Sequence, residues 1–466
     1  MSPWENYRLE WSPDPLTVAI PSWQDITAFA LAPFGAPIHP QTGIPLMGSG
    51  AQAATMAVVL DNRDHRFTFG NASSPLSPNW KPGRRIRCYE VIGNRRFDVF
   101  SGYIQPPETD DWAESGADQY MTLTAVDRLG RLGTARTMIS TLAEHIIYNG
   151  GSSLVAYWSL LDPVGSFGAA NFGTRETLGQ QNPLVGSFVG PPGGLYAPGA
   201  GSTLAGDDKQ GTLFAPSLNA DGTLANYIYL YGTLSSPIAQ ASGDTITLAY
   251  WATMTDTVRD LVIPAELIGH VSMQLMLDRS GGVSGTWAVD AFANGGSVSI
   301  PAMAPANQTQ MLIALRMTLP SGLVELWRHT DPIVSGTTSG SPPSSATWDQ
   351  VWVGSGFNGT ISHVQIYVGP GAYTRSMHLA QAAAGYTGLY GQTTGQRIVT
   401  LAQYAGIPAA ELSNVDPGIA PMQKATLTGQ SPLAEMRVAE TTEQGRLRTN
   451  GQGLLVFDSR LRRYNS

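Results

Sequence analysis

The sequence predicts a mainly β chain in several folded parts: a small N-terminal β-barrel domain over residues 1–137, a helical linker at 138–154, an inserted β-sandwich over 155–372, and a small α+β domain over 373–466. Three observations lead there. A chain of 466 residues exceeds what one ordinary core holds. Its 52 glycines and 32 prolines supply turns throughout. Short runs of period-two alternation recur between those turns, whereas long helical patterns are few. The boundaries follow composition. The stretch 81–96 carries Lys81, Arg84, Arg85, Arg87, Arg95 and Arg96 against Glu90 alone; 165–320 is dominated by Gly, Ser, Ala and Thr; helix-like spacing returns after Gly369-Pro370-Gly371.

Charge and cysteine usage exclude several classes. Charged residues make up 13% of the chain, about half the usual share, so partners are expected to cover much of the surface. A net charge of -8 gives no electrostatic reason to bind nucleic acid. The single cysteine, Cys88, excludes a disulfide framework and a cysteine-based zinc site within one chain. No stretch approaches the roughly 20 apolar residues that cross a bilayer, and residues 1–10 lack an apolar signal core. Membrane insertion is therefore not expected, and folding in the cytoplasm is.

In the first part, residues 54–60 alternate as a strand and stop at Asp61-Asn62-Arg63-Asp64, a turn-rich tetrapeptide. Residues 85–92 and 96–104 alternate on either side of Gly93-Asn94 and read as a β-hairpin. Residues 120–126 form another strand, and Asp127 is placed to cap a short helix beginning at Arg128.

These residues carry a resemblance. Residues 58–87 read V-V-L-D-N-R-D-H-R-F-T-F-G-N-A-S-S-P-L-S-P-N-W-K-P-G-R-R-I-R, followed by F-S-G-Y at 100–103 and T-A-V-D at 124–127. In order, these pieces resemble the minor tail proteins of phages and prophages of actinobacteria: L-D-N-R-D-x-R-F, N-x-x-S-P, P-G-R-x-V/I-R, F-x-G-Y and a strand ending T-x-x-D. The resemblance covers residues 1–135 best. It implies a tail-hub β-barrel that assembles into a ring at the distal end of the tail tube.

Two readings attach to the charged stretches. Asp61, Asn62, Arg63, Asp64 and Arg66 suit a locally hydrogen-bonded turn with its own salt bridges, or else the arginines meet a neighbouring subunit. The basic run 81–96 suits a solvated strand face, an acidic subunit interface, or contact with DNA passing through the tail. Arg63, Arg66, Arg84, Arg85 and Arg87 are the candidate subunit-interface residues.

The middle part opens with an aromatic strand at 155–162 and closes with one at 359–368 that buries Val364, Ile366 and Val368 on one side. Further strands are predicted at 244–252, 271–277, 286–290, 311–317 and 323–328, a spacing that suits an all-β sandwich. Through A-Y-W-S-L-L-D, T-L-A-Y-W, L-V-E-L-W-R and W-V-G-S-G-F-N-G-T-I-S-H-V-Q-I-Y, residues 155–370 resemble a concanavalin-like or laminin-G-like jelly roll. That family pairs its closing strand beside its first. Jelly rolls often bind glycans by stacking aromatics on sugars, and Trp158, Trp251, Trp287, Trp327, Trp348 and Trp352 are the available rings, although tryptophans in alternating strands are more often core. Asp207, Asp208, Asp278 and Asp290 cannot be gathered into a calcium site from spacing alone. Metal binding stays open.

In the third part, residues 396–405 form an amphipathic helix stopped at Gly406, and Ser431-Pro432 starts another with Pro at its first position and Glu435 in its first turn. A hairpin over 445–458 follows. Helix and hairpin resemble a second segment of tail-hub proteins, S-P-L-x-x-M/L before E-x-G-x-L and G-x-L-x-F. Longer relatives are expected to continue beyond the final residues.

Catalysis is not expected. No paired carboxylates of the glycosidase kind appear in the middle strands. His39, His65, His145, His270, His329, His363 and His378 lie apart with no H-E-x-x-H, and neither G-x-S-x-G nor a P-loop is present. No cofactor is expected. The combined resemblances imply a virion protein of the phage tail tip: a ring homo-oligomer, trimeric in preference to hexameric, contacting distal tail, tube and tip proteins, with a jelly roll that projects toward host surface glycans. The alternatives are a hexameric distal tail protein with a carbohydrate-binding insertion, and a free glycan-binding or glycan-hydrolysing protein.

Overall fold

The computed structural model describes residues 6–16, 18, 20–31, 51–106, 120–162, 168–169, 172, 184–189, 195–197, 212–215, 227–254, 263–269, 273–278, 287–293, 296–302, 310–339, 342–355, 357 and 359–464. The chain is mainly β, with antiparallel sheets throughout. It divides into two compact units: Met1–Met138 with Gly391–Gln423 and Gly429–Ser466, and Ile139–Tyr390 with Lys424–Thr428. The helices are α1 (Arg128–Gly133), α2 (Thr141–Gly150), α3 (Arg375–Thr387), α4 (Thr394–Tyr404), α5 (Pro432–Glu443) and α6 (Arg460–Tyr464). None is long and apolar enough to cross a membrane among the described residues.

The first unit is built on β1 (Tyr7–Trp11), β2 (Gln24–Asp25), β3 (Ala30–Leu31), β4 (Thr55–Asp61), β5 (Arg85–Ile92), β6 (Arg95–Ile104) and β7 (Tyr120–Val126), in the sheet order β2-β1-β5-β6-β7-β4-β3. The expected barrel is thus a half-barrel, because the short outer strands β2 and β3 do not pair with each other. The expected hairpin is β5 and β6, with Arg85 opposite Tyr103 and Ile92 opposite Arg95. One face of the sheet buries Leu9, Trp11, Met56, Val58, Leu60, Ile86, Cys88, Phe100 and Leu123. Burial pushes the Cys88 thiol up to about 12, so it remains an unreactive core group. Asp127 caps α1 by accepting from the Gly130 amide at 3.0 Å, and Ser431 caps α5 by accepting from Ala434 at 3.2 Å. Gly406, at φ +80, ends the α4 turn in a conformation that favours glycine. The terminal hairpin pairs Arg446–Thr449 with Leu455–Asp458.

The second unit is a sandwich of two sheets. One runs Gly296–Ala302, Trp287–Ala293, Met273–Asp278, Ile263–Gly269, Ala346–Ser355, Tyr227–Gln240, Leu184–Val189 and Gly168–Ala169. The other runs Leu195–Ala197, Thr212–Ala215, Gly359–Gly369, Thr245–Met254, Met311–Thr318, Leu323–Arg328 and Val334–Thr337. The first strand, Leu154–Trp158, pairs with the closing strand Gly359–Gly369, as the jelly-roll resemblance implies. Between the sheets lie Trp158, Leu248, Tyr250, Leu315, Trp348, Val351, Val364 and Ile366, with Val368 partly buried against them.

The outer face of the second sheet is not solvated, contrary to a simple alternating pattern. Leu142 and Ile146 of α2 and Ala382 and Ala384 of α3 cover Tyr157, Trp251, Leu312 and Tyr367 in a second core. Residues 138–154 are therefore no bare linker, and α3 belongs with the sandwich, although composition placed it in the third part. Polar side chains survive beneath these helices because they satisfy one another. Gln365 Oε1 accepts from Tyr367 Oη at 2.7 Å and from Gln381 Nε2 at 3.0 Å, and Tyr373 Oη donates to Gln381 Oε1 at 3.1 Å.

Candidate functional site

The turn after β4 folds back under the half-barrel. Asn62 Oδ1 accepts from the Phe67 amide at 2.9 Å while its Nδ2 donates to Thr68 Oγ1 at 3.0 Å. Ser74 Oγ donates to the Arg66 carbonyl at 2.6 Å, and Trp80 Nε1 donates to the Phe67 carbonyl at 2.7 Å. These bonds hold Phe67 and Trp80 in the core, with Trp80 edge-on to Trp11 at 5.1 Å and to Phe67 at 5.0 Å. Phe67 of the L-D-N-R-D-x-R-F piece and Trp80, just before the P-G-R-R-I-R piece, are thus two halves of one plug.

Each candidate interface arginine is engaged within the chain. Arg63 pairs with Asp61 and Arg66 with Asp64, and hydrogen bonds from these guanidinium groups hold both carboxyls below the usual carboxylate range. Arg66 also lies over the Phe29 ring at 4.0 Å. Arg84 is buried and donates to the Asn79 carbonyl at 3.1 Å. Arg85 donates to the Leu16 and Val18 carbonyls at 2.9 and 2.8 Å. Arg87 pairs with Glu10 at 2.5 Å and lies over Trp23 at 3.9 Å. These contacts fit the turn-and-salt-bridge reading of Arg63 and Arg66; Arg63 nevertheless keeps 63% of its side chain exposed.

The N-terminal and C-terminal segments of the first unit meet where α1 begins. Asp127, besides capping α1, accepts from Thr449 Oγ1 through its second oxygen. Arg437 of α5 donates to the Ala51 carbonyl and pairs with Glu440 at 2.5 Å, while Glu440 also accepts from the Leu447 amide at 2.7 Å. Met138 and the 429–430 stretch exchange backbone hydrogen bonds, Met138 N to Gln430 O at 2.8 Å and Gly429 N to Met138 O at 2.9 Å.

Along this junction runs a cleft of about 350 Å³, with Leu16, Leu132, Ile407 and Pro408 among its apolar walls and Arg85, Arg128, Arg131, Arg136 and Glu411 as its charges. A second hollow of about 260 Å³ shares Arg85, Tyr103, Arg128 and Glu411. Arg128 pairs with Glu411, and Arg131 lies over the Tyr103 ring at 4.6 Å. Of the five candidate arginines, the structure brings only Arg85 into this cleft. Of the others, Arg128 and Arg131 were visible in sequence as parts of a capped R-L-G-R-L turn whose three-residue spacing puts them on one helix side, while Arg136 follows that turn and Glu411 lies beyond the sandwich in the chain.

The remaining candidates separate. Trp158, Trp251, Trp327 and Trp348 are buried core residues, while Trp352 is half-buried. The side chain of Trp287, like Asp207, Asp208, His39 and His270, lies outside the described residues. Asp278 and Asp290 fall on neighbouring strands, opposite Ala288 and Met276 respectively. His363 accepts or donates at Nδ1 with Tyr157 Oη at 2.7 Å, and burial pushes it down to about 3. Among the described residues no group of three His, Cys, Asp or Glu could hold a metal ion.

No family model and no curated protein matches the chain. Among solved structures it is similar to domain 4 of a GH43 extracellular arabinanase from Geobacillus stearothermophilus in complex with arabinotriose (16% identity, 49% of this chain, 98% of that one, TM-score 0.32). It is also similar to the binding domain of Paraclostridial Mosquitocidal Protein 1 (10%, 53%, 55%, 0.34) and to the CBM2 module of Lactobacillus casei BL23 phage J-1 evolved Dit (9%, 46%, 94%, 0.26). Likeness at this level carries no functional conclusion.

Proposed function

We propose that this chain is a structural protein of a bacteriophage tail tip, a baseplate-hub subunit that joins the tail tube to the tip and performs no catalysis. One observation carries the reading. The two segments that separately resemble tail-hub proteins, residues 58–127 and 431–458, are separated in sequence by the sandwich yet fold into a single unit, joined by Asp127 to Thr449 and Arg437 to Ala51. A chance match at either segment gives no reason for the two to meet. In this reading the first unit forms the ring, a trimer in preference to a hexamer, and contacts the neighbouring tail proteins. The inserted sandwich serves attachment, with host surface glycans as its partner class.

Antibodies raised against residues 155–370 and applied to intact phage particles test this by electron microscopy. Labels clustered at the tail tip are expected. Absence from every particle, with the protein free in the lysate, refutes the virion role and favours a free glycan-active protein. Light scattering on the purified chain then reads the ring: about three times the 49.6 kDa chain mass is expected, and six times it points to a distal tail ring instead.

A further inference from the structure

α3 is held to the outer face of the second sandwich sheet by different chemistry at its two ends. Toward its C-terminus the fit is one of shape: a Cβ on Gly385 would lie 2.6 Å from the Trp251 ring, and Tyr386 meets that ring edge-on at 5.6 Å. Toward its N-terminus the fit is polar. His378, which ends the first turn, is fully buried and lies edge-on to Trp327 and to Tyr373, each at 5.9 Å. Tyr373 Oη donates to Gln381 Oε1 at 3.1 Å, so it accepts from His378 Nδ1 at 3.2 Å. The neutral ring therefore carries its proton on Nδ1, and Nε2, the nitrogen that acid would charge, has no hydrogen-bond partner.

Among the described residues around His378, each carboxylate is already engaged. On α3 itself Arg375 lies one turn back, and the first turn, where acids suit a helix, has none. The strand Leu323–Arg328 and the turn after it bring Glu325, Arg328, His329 and Asp331. Glu325 pairs with Arg316 of Met311–Thr318, and Asp331 pairs with Arg328 at 2.6 Å and flanks His329. Arg375 donates to the Asp331 carbonyl at 2.7 Å. The closing strand contributes Tyr367, against Tyr373; α2 contributes His145 and Glu144, and Glu144 accepts from the Ile139 amide at 2.9 Å.

We infer that α3 is an acid-released latch on the sandwich: it docks while His378 is neutral, and a proton on Nε2 undocks it from the sheet. An imidazolium there would be a buried charge beside the Arg375 guanidinium, at the positive end of its own helix. Burial, and then Arg375, push His378 down to about 3, with the His329 carbonyl offsetting part of the effect; a released His378 titrates at about 6.5. Below that value the released form binds a proton that the docked form does not, so docking is fully favoured above it and weakens as the pH falls. At pH 5 the ratio of released to docked helix rises by about 30-fold. The consequence lies in the path of the chain. α3 is the way out of the sandwich, since Gly391–Gln423 belongs to the first unit. Undocking turns that exit from a packed helix into a free tether and uncovers Trp327 and Tyr373.

Hydrogen exchange of the full-length protein without denaturant, corrected for the intrinsic effect of pH on the exchange rate, tests the latch at pH 7.5 and pH 5. Peptides from Arg375–Thr387 are expected to lose about 30-fold of their protection at the lower pH, while Met311–Thr318 and Gly359–Gly369 keep theirs. H378Q, which cannot take the proton, is expected to lose most of that pH dependence, whatever its protection at pH 7.5. Exchange of the histidine ring C2 hydrogens, followed by mass spectrometry, reads His378 in the unaltered protein and decides the matter should H378Q not fold. Its midpoint is expected well below the ordinary value of about 6.5. Undiminished protection of α3 at pH 5, an equal loss in H378Q, simultaneous loss from Gly359–Gly369, or an ordinary midpoint for His378 overturns the assignment.

Discussion

Replacing Trp80 tests whether the turn after β4 is a plug or an ornament. The indole is 4% exposed, sits edge-on to Trp11 and Phe67, stacks on Phe69 at 5.8 Å, and closes a 2.7 Å hydrogen bond to the Phe67 carbonyl. Truncation of a buried tryptophan to alanine costs about 3–5 kcal/mol. Trp80→Phe keeps most of the ring packing but leaves the Phe67 carbonyl without its donor, at about 1–3 kcal/mol. Because the chain has two units, a single global transition is not assured. Hydrogen exchange in graded urea, read peptide by peptide, separates them. The midpoint for β4 and β7 is expected to fall by roughly 1–3 M in Trp80→Ala at ordinary urea slopes, while that of Met311–Thr318 stays fixed. Equal losses from Trp80→Ala and Trp80→Phe would show that ring packing is not the source. No loss from either would refute the plug.

Two further outcomes are expected in the sandwich. Burial pushes His363 and His378 down to about 3, against roughly 6.5 for an unfolded histidine. Between those values the unfolded chain binds protons that the folded chain does not, so stability is full above pH 6.5, declines as pH falls, and reaches its floor near pH 3. Each histidine costs about 2 kcal/mol at pH 5 on this basis, and a urea midpoint for Met311–Thr318 that does not change between pH 7.5 and pH 5 would contradict it. For Gly385→Ala, the added Cβ would lie 2.6 Å from the ring of fully buried Trp251. The crowding, about 1–3 kcal/mol, outweighs the gain in helix propensity of about 1 kcal/mol, so the melting temperature drops; a rise would show that the ring can move aside.

Local chemistry made much of the fold legible. The β5–β6 hairpin and the Asp127 and Ser431 caps each follow from residues within a few positions or from one alternation pattern, whereas the pairing of first and closing sandwich strands was implied by the jelly-roll resemblance alone. What failed to show depended on distant cover. The alternation of 359–368 marked only Val364, Ile366 and Val368 as buried; Gln365 is buried as well because Gln381 of α3 covers it, and α3 follows a loop and carries an ordinary helical pattern. Tyr227–Gln240 escaped notice because Pro237 interrupts its alternation, and the register with Ala346–Ser355 shifts between Thr233 and Ile238. The cationic cleft was hidden for the same reason: Arg85 and Arg128 were visible as charges, but only the fold brings Glu411 to them.

The insertion itself has a physical logic. In the sandwich, Leu154 of the first strand lies opposite Tyr367 of the closing strand, so the chain enters and leaves the domain at neighbouring positions. Leu142 and Ile146 of α2 then share one core with Ala382 and Ala384 of α3, which keeps the two connections together beyond the strands. An insertion whose ends are already close adds little to the entropy of closing the host fold, since the inserted residues act as a folded spacer and not as a long loose loop. Such a unit can change its outer strands and loops without altering the register of β4, β7 and the terminal hairpin. Variation in the sandwich is thus separated from the residues that hold the first unit together, Asp127 to Thr449 and Arg437 to Ala51.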